Sequence, residues 1–147
     1  MANVLYDNGR NAFAKGDIHW KAAGDTIRAF LVDSALYTPD LVNHDFLDDI
    51  PVAARKGHNG NTGRTDAPQL TLYDPVSGIC DAAESIFILI PAGNALEYII
   101  IFKDDGVADA SSPLIALIDT ATGLPITPNG ANITVQWDNG ANKIFKL

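Results

Sequence analysis

Histidine and cysteine are the residues of this chain that could do nucleophilic or metal chemistry, and they are few. His19, His44 and His58 lie far apart in the sequence, and none belongs to a metal-ligand spacing such as His-Glu-x-x-His. We therefore expect surface positions for them. Cys80 is the single cysteine, so no internal disulfide can form. No basic residue lies near it in sequence to lower its pKa, which favours a buried or inert thiol over a nucleophile.

Aspartates are clustered in two places, and paired carboxylates can act as acid and base or bind calcium. The clusters are Asp45, Asp48 and Asp49, and Asp104, Asp105 and Asp109. Asp104-Asp105-Gly106 lacks the alternation and the terminal glutamate of a calcium loop. Solvated turn aspartates are predicted, with a weakly bound structural cation as the alternative. No Gly-x-Ser-x-Gly motif or phosphate-binding glycine loop is present. We predict no catalytic, cofactor-binding or metal-binding residue and no enzyme activity.

Two tryptophans, Trp20 and Trp137, could stack on sugar rings, as tryptophans do in many carbohydrate-binding β-sandwiches. A position in the core or at a subunit interface is favoured for each. Asn132-Ile133-Thr134 matches a glycosylation sequon, but it falls in a predicted strand and is interpreted as a coincidence.

The composition is that of a globular domain, with 47% hydrophobic and 19% charged residues. The formal charge of −8 argues against nucleic acid as a partner, because binding phosphates requires a concentration of Lys and Arg. No apolar run is long enough to span a bilayer, and the N-terminus does not resemble a secretory signal. At 147 residues, the chain is predicted to form a single domain over 1–147.

Two apolar runs, 96–103 and 114–119, are rich in β-branched and aromatic residues and predict a central pair of strands. Both runs are apolar on both faces, so we expect them to be covered in the middle of a sandwich or at a subunit contact. Further strands are predicted at 26–32, 52–56, 69–73, 85–90, 132–137 and 143–147, with a tight hairpin at 138–142. This pattern predicts a mainly β chain, an antiparallel β-sandwich or jelly-roll-like domain.

Two other segments complete the predicted organisation. A short N-terminal helix is expected at about 4–15, with Gly9 and Ala12 on its apolar side and Gly16 ending it. The segment 57–68 contains three glycines and no apolar periodicity. It is predicted to be a flexible loop that becomes ordered on contact with a partner, since little in it could pack by itself. It is therefore the first candidate for a contact surface.

Both ends of the chain resemble a known group of proteins. At the N-terminus the similar stretches are Met-Ala-Asn-Val-Leu-Tyr-Asp-Asn-Gly-Arg at 1–10, Gly-Asp-Ile-His-Trp at 16–20, and the strand at 26–32. At the C-terminus they are Leu-Ile-Ala-Leu-Ile-Asp-Thr-Ala-Thr-Gly-Leu-Pro at 114–125 and Asn-Gly-Ala-Asn-Lys-Ile-Phe-Lys-Leu at 139–147. Together they are similar to small structural proteins of tailed bacteriophages. The likeness covers roughly the first fifty and last fifty residues, and the middle, 56–90, departs from it.

The resemblance implies a virion protein made in the host cytoplasm. Small acidic β-rich phage proteins often serve as decoration (cement) proteins, so we expect binding to the major capsid protein at the outer capsid surface. A homo-oligomer is expected, with a trimer favoured, in which subunit contacts would also bury the apolar strands around Ile99 and Ile115. No nucleic acid or membrane partner is expected. The alternatives are a tail, neck or tail-fibre component, and a carbohydrate- or host-binding module with Trp20 or Trp137 exposed.

Overall fold

Nine short strands, one α-helix and five 3-10 turns make up the regular structure of residues 3–147, the part of the chain that the computed structural model describes. The helix, α1, spans Asp7–Lys15. The strands are β1 Val4–Leu5, β2 Ile27–Val32, β3 Arg55–Lys56, β4 Ile79–Cys80, β5 Ser85–Phe87, β6 Tyr98–Lys103, β7 Leu114–Ile118, β8 Ile133–Val135 and β9 Phe145–Lys146. The chain is mainly β with one short N-terminal helix, which confirms the predicted fold class.

The strands form one large and two small antiparallel sheets. Strands β1, β7, β6, β2 and β3 lie in that order in the large sheet. Strands β4 and β9 form one small sheet, and β5 and β8 form the other. The predicted central pair, β6 and β7, lies in the middle of the large sheet, with a shift of register between Ile101 and Phe102 that marks a bulge.

Both faces of the large sheet are apolar, and both are covered by the same chain. Along β6, Ile99 and Ile101 belong to one buried cluster, and Ile100 and Phe102 belong to the other. Ile99 is 3% exposed and Ile115 is 0% exposed within a single chain. The prediction that these strands are covered is confirmed. The expectation that subunit contacts bury them is wrong, because each chain already does so.

Different parts of the chain cover the two faces. The first face packs beneath α1 and the two small sheets, which gives a sandwich-like, two-layer arrangement; the covering residues include Ala12, Trp20, Cys80, Phe87, Trp137 and Ile144. The second face is covered by Tyr6 and by the segment 33–54, including Tyr37, Leu47 and Ile50. The layer that covers the first face therefore contains two separate two-stranded sheets, β4–β9 and β5–β8.

The N-terminal helix begins later than predicted. Val4 and Leu5 pair with β7 as strand β1, so the helix starts at Asp7 rather than near residue 4. Pairing with the large sheet outweighs the helical periodicity at these two residues. The predicted end is confirmed, because Gly16 adopts a left-handed conformation with φ +79° and its N–H donates to the Phe13 carbonyl over 3.1 Å.

Three predicted strand features are wrong in detail. The segment 69–73 makes only isolated bridges, such as Leu72 with Ala82, and forms no regular strand. The strand predicted at 85–90 ends at Phe87, because Leu89 turns to a positive φ of 49°. The turn at 138–142 does not connect a hairpin, since β8 pairs with β5 while β9 pairs with β4.

The segment 57–68 contains two 3-10 turns, His58–Gly60 and Arg64–Asp66. The Gly57 N–H donates to the Asn61 carbonyl over 2.7 Å, and Ala67 is completely buried against the second face of the large sheet. The reason given for flexibility, that little in this segment could pack, is therefore wrong. That the segment 57–68 becomes ordered on contact with a partner stays a prediction, but poor packing no longer supports it.

Within residues 3–147, no helix is both long and apolar enough to cross a bilayer.

Candidate functional site

The three histidines have separate structural partners. The His19 ring lies 3.5 Å from Asp25 Oδ2 and is the most exposed of the three. His58 is partly buried, and its Nδ1 accepts the Ile88 N–H over 3.1 Å. In the part of the chain that the structure describes, no group of three or more His, Cys, Asp or Glu side chains could hold a metal ion.

His44 belongs to a series of hydrogen bonds that no sequence pattern predicted. Its Nδ1 lies 2.9 Å from the Tyr37 hydroxyl, which lies 3.1 Å from the hydroxyl of the fully buried Tyr6. Burial raises the pKa of Tyr37 to about 12 and raises that of Tyr6 further. Both phenols stay protonated at neutral pH, and their hydrogen bonds connect Tyr6 to the 33–54 segment.

The first aspartate cluster has the predicted turn role. Asp48 and Asp49 are exposed. The Asp49 Oδ2 accepts the N–H groups of Asp45 over 2.7 Å and Phe46 over 3.0 Å, which closes the 3-10 turn Leu47–Asp49.

The second aspartate cluster differs from the prediction, because two of its carboxylates pair with arginines. Asp104 is only 8% exposed; its Oδ2 accepts from Arg28 Nε over 2.7 Å, and its other oxygen contacts Arg64. The Asp109 Oδ2 lies 2.6 Å from Arg55 Nη1. Asp104 and Asp109 are therefore not solvated turn residues. They attach the β6–β7 loop to β2, β3 and the 57–68 segment, which is a structural role.

Cys80 is a buried, protonated thiol. It is fully buried in the first apolar cluster, and this burial raises its pKa to about 12. The prediction of a buried thiol is confirmed, because the thiolate required for nucleophilic attack is strongly disfavoured there.

The two tryptophans are core residues, as favoured by the sequence. Trp20 is 4% exposed and donates its Nε1–H to the Asp81 carbonyl over 3.0 Å. Trp137 is 9% exposed and donates to the Ser85 hydroxyl over 3.2 Å. The exposed tryptophan that the carbohydrate-binding alternative required is therefore absent, since both belong to the described residues.

The small sheet of β5 and β8, called the ribbon from here on, has one buried face and one exposed face. Ser85 and Phe87 point inward and are buried, while Ile86 between them is 42% exposed. Ile86 lies opposite Thr134, which is also exposed. One face of the ribbon thus closes the core, and the other presents an isoleucine to the outside.

Two further large aliphatic side chains follow β5 and are also exposed. Ile88 is 42% exposed and Leu89 is 54% exposed. Their main chain is nevertheless held firmly: the Asn59 N–H donates to the Ile88 carbonyl over 2.7 Å, and the Leu89 N–H donates to Asn132 Oδ1 over 2.9 Å. Leu89 has a φ of 49°, a conformation that side chains with a Cβ rarely adopt. The structure thus presents these apolar groups on a fixed support.

The outward face of the ribbon is also poor in charge. We define the outer ribbon face as Ile86, Ile88, Leu89, Thr134 and Gln136, all exposed. These five residues are uncharged, and the exposed Glu84 and Asp138 continue the outward alternation at one end of the ribbon. Exposed aliphatic residues combined with a depletion of charge are typical of the centre of a protein interface. The outer ribbon face is therefore our candidate contact surface.

The sequence pattern predicted a different contact surface, the segment 57–68, which lies next to the outer ribbon face. The segment 57–68, predicted as the first candidate, contributes His58 and Asn59 as supports for Ile88 rather than as the exposed apolar groups. The run at 86–90 is apolar throughout, so its sequence does not distinguish the outward residues from the buried ones.

Comparison with protein-family models gives no match, and comparison with curated protein sequences gives no significant match. The case for a function therefore depends on the geometry of this chain and on the resemblance carried by its two ends.

Proposed function

We propose that this chain is a structural protein of a tailed-bacteriophage virion, a decoration protein that binds the outer surface of the capsid and stabilises the shell. The observation that carries the proposal is the outer ribbon face, where Ile86, Ile88 and Leu89 are exposed on a firmly bonded main chain. The resemblance of residues 1–32 and 114–147 to phage structural proteins supports a place in the virion, and the small acidic β-rich character of the chain favours the major capsid protein as its partner.

A decoration protein needs no catalysis, because it acts by mass action. Any protein that binds the assembled shell and not its dissociated subunits shifts the equilibrium towards the shell. The contact requires apolar groups that become desolvated without reorganisation of the chain, and a main chain fixed in advance lowers the entropic cost of binding. The outer ribbon face meets both requirements.

The proposed homo-oligomer, with a trimer favoured, uses a surface other than the large sheet. Ile99 and Ile115 are covered within one chain and offer no contact to a neighbouring copy. Subunit contacts would therefore lie on the loops or on the edges of the sheets.

The test is binding to capsids that lack the protein, measured by cosedimentation. We expect the wild type to bind and the double variant Ile86→Thr/Ile88→Thr to bind at least about tenfold more weakly, because two apolar groups are lost from the contact. Threonine keeps the β-branched shape, so the strand should persist. Val42→Thr, at an exposed valine outside the ribbon (66% exposed), is the matched control and should bind like the wild type.

Each outcome has a distinct meaning. A wild-type protein that does not bind these capsids would sink the decoration proposal. Equal binding by the wild type and the double variant would leave the function standing and remove the outer ribbon face as its contact surface.

A further inference from the structure

The chain contains four Asn-Gly dipeptides, which begin at Asn8, Asn59, Asn129 and Asn139. In such a dipeptide the main-chain nitrogen of the glycine can attack the side-chain amide of the asparagine, because glycine has no Cβ to hinder the approach. The products are a succinimide and ammonia, and water then opens the succinimide to aspartate or isoaspartate. The fold decides which of the four sites is free to react.

Three of the four sites are restrained by main-chain structure. Asn8 lies in α1, where helical dihedral angles fix its main chain. The Gly60 N–H donates to the Gly57 carbonyl over 3.1 Å, and the Gly130 N–H donates to the Ile90 carbonyl over 2.7 Å. An amide carbonyl accepts such a hydrogen bond but is too weak a base to take the proton. We therefore expect slow reaction at these three sites.

Asn139 is the exception, because the glycine that follows it bonds to a carboxylate. Asp138, Asn139 and Gly140 are all exposed and lie between β8 and β9, outside any strand. The Gly140 N–H donates to Asp138 Oδ1 over 3.0 Å. A carboxylate within hydrogen-bond reach of a proton can act as its general base. A Cβ at residue 140 would lie 2.7 Å from Asp138 Oδ2, so this close approach requires glycine.

Lys143 contacts the other reacting group, the side-chain amide of Asn139. Its Nζ lies 3.3 Å from Asn139 Oδ1 and 3.8 Å from Asp81 Oδ2. Because an ammonium group only donates, the amide atom that faces it is the oxygen. The Lys143 N–H also donates to the Gly140 carbonyl over 3.3 Å, which folds the loop back and holds Lys143 beside Asn139. The ammonium group therefore lies where negative charge develops on the amide oxygen during attack.

We propose that Asn139 is a site of spontaneous succinimide formation and deamidation, assisted by Asp138 and Lys143. The bond that forms joins the Gly140 nitrogen to Asn139 Cγ, and the bond that breaks joins Cγ to the side-chain nitrogen. Asp138 takes the proton of the Gly140 nitrogen and returns it to the leaving nitrogen, which departs as ammonia. Solvent water then hydrolyses the succinimide, so no oxidant or cofactor is needed. The loop gains a carboxylate next to Asp138, and the chain becomes more acidic with age.

The test follows all four sites by peptide mapping and mass spectrometry while the purified full chain is kept in neutral buffer. We expect Asn139 to be converted at least about tenfold faster than Asn59 or Asn129, because only its glycine N–H bonds to a base. The same measurement in urea gives the rates of the unfolded chain, in which we expect the four sites to react at similar rates.

Two variants separate the assisting groups. Asp138→Asn keeps an acceptor for the Gly140 N–H but cannot take its proton, and Lys143→Met keeps a long side chain without the ammonium group. Each should slow the conversion of Asn139 at least about threefold, a smaller factor than in a closed active site because water also accepts the proton here. Lys15→Met, at an exposed lysine on α1, removes the same charge and should leave the rate unchanged.

Equal rates at Asn139, Asn59 and Asn129 in the folded chain would overturn the inference, and so would a wild-type rate in Asp138→Asn or Lys143→Met. A product that has lost ammonia, gains no water and joins Lys143 to Asn139 would also overturn it, because Lys143 would then be the nucleophile rather than the donor.

Discussion

Arg55 shows how one buried charge organises the loops around it. It is 1% exposed, and its guanidinium donates to the carbonyls of Leu47 and Ile50 at 2.6–2.9 Å and to Asp109 over 2.6 Å. Arginine fits this site because its planar fork carries five donors, which lysine cannot reproduce. The residue therefore connects the 3-10 turn Leu47–Asp49 to the β6–β7 loop through β3.

Replacing this arginine should be costly. We expect Arg55→Leu to lower the free energy of unfolding by roughly 3–5 kcal/mol, because buried carbonyl groups and a carboxylate lose their donors. Equilibrium urea unfolding measures the change. Arg10→Leu is the control, since Arg10 pairs with Asp7 while both side chains are about half exposed, and its loss should stay within about 1 kcal/mol. Equal losses for the two variants would contradict the role assigned to Arg55.

Asp105 makes folding stability depend on pH. The hydroxyl of Ser111, the N–H groups of Val107 and Ala108, and the Ser112 hydroxyl lower its pKa well below the usual value. A carboxyl group whose folded pKa is depressed contributes stability above its unfolded pKa, about 3.9, and that contribution is lost as the pH falls towards the folded pKa.

Asp105→Asn should therefore flatten the acid limb of the stability curve. Below about pH 4, we expect the free energy of unfolding to fall less steeply with decreasing pH in the variant than in the wild type. Urea unfolding at several pH values between neutrality and pH 2 gives both curves. Parallel curves would show that Asp105 carries no such contribution.

At the scale of elements, α1 lies unusually close to β7. Gly9 allows this approach, because a Cβ at residue 9 would lie 2.8 Å from the Leu114 carbonyl oxygen and 2.9 Å from that of Ile115. Gly9 and Ala12 are the buried residues of the helix, as its apolar periodicity predicted. The periodicity thus identified the docking face, and the structure explains why one member of that face is glycine.

Gly9→Ala should destabilise the protein although alanine is the better helix former. The methyl group would push α1 away from the backbone of β7, at a cost of roughly 1–3 kcal/mol that outweighs the gain in helix propensity. Thermal or urea unfolding measures the change. The matched control is Gly93→Ala, where the nearest heavy atom to an added Cβ is 4.0 Å away, and its effect should stay within about 1 kcal/mol. A stabilised Gly9→Ala would refute the close contact.

At the scale of the whole molecule, the proposed function predicts the number of copies of this protein per virion relative to the major capsid protein. A protein that covers the capsid should be present in the virion in numbers comparable with the major capsid protein. Quantitative mass spectrometry of purified particles measures this ratio directly. A handful of copies would move the protein to the neck, tail or fibre, and complete absence would remove it from the virion altogether.

The central strands of the large sheet could be predicted from sequence, because their runs are apolar on both faces and both faces are buried in the fold. The runs at 96–103 and 114–119 are apolar on both faces, and they lie in the middle of the sheet with both faces covered. The run at 86–90 has the same kind of sequence, yet Ile86, Ile88 and Leu89 are exposed. Side-chain type alone does not distinguish the two cases, because burial depends on whether another layer lies above that face.

The amino-acid sequence by itself determined the β class, the helix end at Gly16, the core positions of the tryptophans and the burial of Cys80. These follow from local backbone preference and from the free energy of removing apolar side chains from water. Only the tertiary structure decided which strands pair and that Asp104 and Asp109 meet arginines. Each of these is a contact between residues distant in sequence, and such contacts are set by how the layers pack rather than by any local pattern.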